Sequence, residues 1–99
     1  MNYNIDIDKD AINMLVDHVS FLKRVSYKAA SRLNIEFYEG VQRIIENPYG
    51  YTYLDENKTY RKYIFYKRYL IIYLVEKNII YIDYIVDTRQ NYFKTILKS

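Results

Sequence analysis

The chain has no cysteine and no tryptophan, a single proline, two glycines and a single histidine, His18. Without cysteine there is no disulfide framework, no thiol nucleophile and no thiolate metal site. A zinc site built on His18 would need carboxylates for all its other ligands, an unusual set. The longest apolar stretch, Tyr69 to Val75, falls far short of the ~20 residues that span a bilayer. The first residues are polar and acidic rather than basic and then apolar, so they do not read as a secretion signal. These absences together predict a soluble intracellular protein with no membrane association.

Apolar residues, tyrosine and charge fill the space. At 99 residues and 51% hydrophobic, the chain suits one domain with one core and is too apolar for disorder. Tyrosine occurs 14 times. Its rings can stack on unpaired bases, or bury in a core with the hydroxyl at the surface; the second reading is the commoner one for strand-rich segments. The net charge of +3 is unevenly spread. Residues 1–50 carry six Lys/Arg against seven Asp/Glu, and residues 51–99 carry nine against five. A basic second half favours an acidic partner such as nucleic acid, although cations on sheet edges also serve to block strand pairing.

Periodicity divides the chain into elements. Tyr3, Ile5 and Ile7 alternate with Asn4, Asp6 and Asp8, as in a short strand with one wet face. Ile12, Leu15, Val16, Val19 and Leu22 recur at helical spacing, with Asp8 and Asp10 at the helix start. His18 falls off this stripe and is expected at the surface. Ser26 is a candidate cap for a second helix carrying Ala30, Leu33, Phe37, Val41, Ile44 and Ile45. That helix must stop by Asn47, before Pro48, with Gly50 helping the reversal. The segment from Tyr49 to Thr59 reads as a surface loop.

Three segments rich in Ile and Tyr follow, Tyr60 to Phe65, Tyr69 to Glu76 and Ile79 to Asp87. The short connections Lys67-Arg68 and Lys77-Asn78 make them an antiparallel meander. Tyr92, Phe93, Ile96 and Leu97 suggest a short C-terminal helix. The predicted architecture is α+β: a first strand, a two-helix hairpin, and an antiparallel sheet made of the meander and the first strand. In the middle segment Leu70, Ile72 and Leu74 point away from Tyr69, Ile71, Tyr73 and Val75, so both faces are apolar. The second face is either a partner site or covered by the C-terminal helix. Arg61, Lys62, Lys67, Arg68 and Arg89 are the candidate binding cations, and Arg61 and Arg89 can meet at one end or face if the register allows.

This order resembles the RelE/ParE family of bacterial toxins, the toxic halves of type II toxin–antitoxin pairs. The similarity runs through Tyr3-Asn4-Ile5-Asp6-Ile7, the break at Asn47-Pro48-Tyr49-Gly50, the Tyr60-Arg61 pair, Tyr69-Leu70-Ile71-Ile72-Tyr73 and Asp87-Thr88-Arg89-Gln90. The resemblance implies a single growth-inhibiting domain of the cytoplasm, often involved in plasmid stabilisation. It also implies a cognate antitoxin as partner, with which it forms oligomers, and no cofactor or metal. The open sheet face, with Leu70 and Ile72, is the implied working groove.

Two targets belong to the family. Ribosome-dependent members cleave mRNA without metal, and there Arg89 matches the arginine after the last strand, with Arg61 and Tyr92 as further catalytic candidates. The arginine of the middle strand is replaced by Leu70, the basic cluster before the meander thins to Lys58 beside Asp55 and Glu56, and Tyr92 is displaced. The ParE-like branch, which inhibits DNA gyrase, needs no such constellation and is the expected one by elimination. A non-toxic RNA- or protein-binding module on the same fold is the third reading.

Overall fold

The computed structural model describes residues 2–90. Its elements run β1 (Asn4–Ile7), α1 (Lys9–Lys23), α2 (Tyr27–Glu46), β2 (Arg61–Phe65), β3 (Tyr69–Glu76) and β4 (Ile79–Asp87). The expected C-terminal helix, and Tyr92 with it, lies outside the described residues.

The strands form an open sheet in the order β1-β4-β3-β2. β2, β3 and β4 make the expected meander, but β1 pairs with β4 in parallel, so the sheet is mixed. Two further details depart from expectation. The β2–β3 connection takes three residues, Tyr66 to Arg68, because Phe65 faces Tyr69. Tyr66 and Lys67 there adopt positive φ, 46° and 69°, a strained state for bulky side chains. The Tyr66 N–H is held by the Glu36 carboxylate of α2 at 3.2 Å. Finally, the β3–β4 ladder shifts register between Ile72 and Tyr73, where Asp83 is the extra residue of a bulge.

The hairpin packs on one sheet face. Ser26 caps α2 by accepting the Ala29 N–H at 3.1 Å, and α2 ends one residue before Asn47. Leu33, Phe37 and Ile44 meet Tyr69, Ile71 and Tyr73 in the core. Gly40 lets α2 approach the sheet, since a Cβ there would sit 2.8 Å from the Tyr63 ring. α1 is rotated from the expected stripe. Ala11, Leu15 and Leu22 are buried, whereas Ile12 and Val16 are 46% and 53% exposed. Among the described residues, no helix is long and apolar enough to cross a membrane.

The loop before β2, expected to be plain surface, covers part of the opposite sheet face. Leu54 packs with Leu70, Ile72 and Val86 in a second small core, flanked by Tyr60 and Tyr84. Two backbone bonds fold this loop against β2: Leu54 N–H to Tyr60 O at 2.7 Å and Lys62 N–H to Thr52 O at 3.0 Å. Tyr60 donates its hydroxyl to Asp83 at 2.8 Å, and burial together with that bond pushes its pKa up.

Candidate functional site

β1 stops pairing at Ile82, so the second half of β4 has no β1 neighbour. α1 covers this stretch. His18 Nε2 lies 2.9 Å from the Ile85 carbonyl oxygen. A carbonyl only accepts, so Nε2 carries the hydrogen and donates. In the neutral ring Nδ1 is then the lone-pair nitrogen, and it has no partner among the described residues. The ring stands edge-on to Tyr69, with centroids 5.1 Å apart. His18 is therefore half-buried against the sheet rather than free at the surface. The sequence carries the signal: Ala11, Leu15, His18 and Leu22 recur at spacings of four, three and four, a stripe that competes with the one through Ile12 and Val16.

Just beyond, Asp87 ends β4, 4% exposed. Arg89 folds back on it, donating Nη2–H to Oδ2 at 2.8 Å, with the Arg89 backbone N–H on Oδ1 at 2.9 Å. Burial alone would raise the Asp87 pKa; the Arg89 bonds outweigh it and hold the carboxyl below the usual carboxylate range, with Arg68 adding to the effect. Arg68 is anchored through its carbonyl, which accepts from the Thr88 N–H and hydroxyl, both at 2.8 Å. Its Nε is buried without a partner among the described residues. Met14, Asp17, His18, Phe21, Tyr69, Arg89 and Gln90 line a cleft of about 580 Å³ here.

Arg61 is elsewhere. It faces Tyr73 across the ladder, whereas Asp87 faces Tyr69. Those positions are four residues apart along β3, roughly 13 Å of strand. The two arginines do not converge, so the expected guanidinium cluster does not form. Arg61 instead donates to Tyr51 O at 2.7 Å, Tyr49 O at 3.3 Å and the Tyr53 hydroxyl at 2.8 Å. Its guanidinium carbon lies 4.0 Å from the Tyr53 ring centroid and 5.5 Å from that of Tyr49.

The remaining candidates are dispersed. Lys62 pairs with Ile72 and so sits on the face opposite Arg61. Lys67 is exposed at the turn. Leu70 and Ile72 are 5% and 0% exposed and do not offer the apolar docking surface expected of them. What stays open on that face is Ile64, beside a groove of about 510 Å³ that Thr52, Lys62, Leu70 and Thr88 help to line. Among the described residues no group of His, Asp or Glu is placed to hold a metal ion.

Neither a protein-family model nor a curated protein sequence matches this chain.

Proposed function

We propose that this protein is the toxin of a type II toxin–antitoxin pair, of the RelE/ParE kind. It arrests growth in the cytoplasm until a cognate antitoxin binds it, and DNA gyrase or replication is its favoured target. The observation that carries the reading is the element order: one strand, a helical hairpin and a meander in a single four-stranded sheet. The choice of target rests on the arginines. A phosphoryl transition state needs convergent, available cations. Here Arg61 and Arg89 are apart, and Arg89 is already bonded to Asp87. Pulse labelling after induction in a bacterium tests both levels. Early loss of thymidine incorporation alone is the expected result. If neither thymidine nor methionine incorporation falls, the toxin reading fails and a non-toxic binding module takes its place.

One observation favours a second reading, ribosome-dependent mRNA cleavage. His18 and Arg89 line the same cleft. A histidine oriented by a carbonyl, with its other nitrogen unbonded among the described residues, is equipped for proton transfer, and Arg89 would hold the phosphate by exchanging its bonds to Asp87 for bonds to the substrate. On this reading methionine incorporation collapses first. His18→Gln would then abolish cleavage by the purified protein on ribosomes at an unchanged melting temperature. Cleavage that survives this substitution eliminates His18 as its proton carrier.

A further inference from the structure

Arg61 differs from Arg89, which is paired with Asp87, in its choice of partners. Among the described residues it makes no ion pair; all its bonds go to carbonyls and a phenol. Its full positive charge is thus retained at the surface, yet the side chain is fixed in place. The backbone that carries the flanking rings is held as well. Tyr53 sits in a backbone bridge with Arg61, and Tyr73 ties the start of the loop by donating its hydroxyl to Pro48 O at 2.8 Å. Neither Tyr49 nor Tyr53 is consumed by the core: they are 55% and 38% exposed.

We propose that Tyr49, Arg61 and Tyr53 form a stacking site for unpaired bases of a single-stranded nucleic acid. Exposed rings beside a planar guanidinium, 4.0 Å from the Tyr53 centroid and 5.5 Å from that of Tyr49, offer flat faces to a nucleobase, while a charge that no carboxylate among the described residues offsets attracts the neighbouring phosphate. A base must be out of a duplex to reach such a face. The loop is already ordered by its own bonds, so little conformational freedom is lost on binding. A purely structural staple would need Arg61 and its carbonyl acceptors, but not two solvent-exposed rings. This site is distinct from the cleft at the β4 exit, and it stands whether or not the chain is a toxin.

The test is fluorescence anisotropy of labelled twelve-nucleotide strands with the purified full chain. The strands are oligo(A) as RNA and as DNA, an abasic DNA strand of equal charge, and a DNA duplex. Saturable binding of oligo(A), weaker for the abasic strand and the duplex, is expected. Tyr49→Ala should weaken oligo(A) binding about tenfold, and Tyr49→Phe should restore it. Tyr49→Ala removes an exposed ring and keeps the backbone carbonyl that Arg61 uses, so a matching melting temperature separates lost binding from lost fold. A preference between the RNA and DNA strands would identify the sugar that is read. Equal affinity for abasic and oligo(A) strands, indifference to Tyr49→Ala, or no binding of either oligo(A) strand would each overturn the proposal.

Discussion

The two ends of the meander each immobilise an arginine, by opposite chemistry. At the β4 exit Arg89 meets a buried carboxylate, and the charges of the pair cancel locally. At the β2 entrance Arg61 meets carbonyl oxygens and ring faces, and its charge is not cancelled. Order in a cationic side chain therefore says nothing about whether its charge is available. The exit can hold an anion only by competing with Asp87, whereas the entrance can hold one without breaking a bond to a carboxylate. The two ends should also answer differently to pH and to substitution.

The largest effect is expected at the entrance. Arg61→Ala leaves the Tyr51 carbonyl and the loop before β2 without their cross-link, and we expect a loss of about 2 kcal/mol. Urea unfolding should show that loss unchanged between neutral and mildly acidic pH, because no carboxylate titrates with it. A strongly pH-dependent loss would mean that Arg61 has an acidic partner after all, and the contrast between the ends would fail.

Arg89→Ala should cost less, and its cost should depend on pH. In the wild type the Asp87 pKa lies below its unfolded value, so the stability it contributes is complete above the ordinary carboxylate range and is lost as pH falls through the depressed folded value. Without Arg89, burial of the carboxylate dominates and pushes the other way. The gap between wild type and variant should thus be widest at neutral pH and close on acidification below about pH 4. A gap that stays constant down to strong acid would show that the pair contributes nothing through charge.

The contrast between the ends also explains how much was legible in the residues. The limits of β3 and β4 follow from runs of β-branched and aromatic residues broken at Lys77-Asn78, and those limits match. The helical hairpin follows from Ser26 and from the Asn47-Pro48 stop. Register is a different matter. Whether Arg61 meets Arg89 depends on a three-residue turn and on the bulge at Asp83, and neither carries a composition signal in this chain. Leu54 was a missed clue. A lone leucine in the run Tyr53-Leu54-Asp55-Glu56 is cheap to bury and costly to expose, and it anchors the loop over Leu70 and Ile72. His18 was missed because a one-residue rotation of α1 exchanges it for Val16 on the buried face.

The smallest predicted effect is the most discriminating for the entrance. Tyr53→Phe removes the hydroxyl that accepts from Arg61 but keeps the ring 4.0 Å from the guanidinium carbon. The hydroxyl bond is exposed, so its loss should cost about 0.5 kcal/mol. Tyr53→Leu removes the ring face as well and should cost about twice as much, the excess being the cation–ring attraction. Combining each substitution with Arg61→Ala isolates the pairwise part, since in that background neither bond nor ring has a cation to act on. If Phe and Leu prove equally costly, the ring face contributes nothing. Arg61 would then be held by oxygen acceptors alone, and its resemblance to a stacking platform would be one of shape without energy.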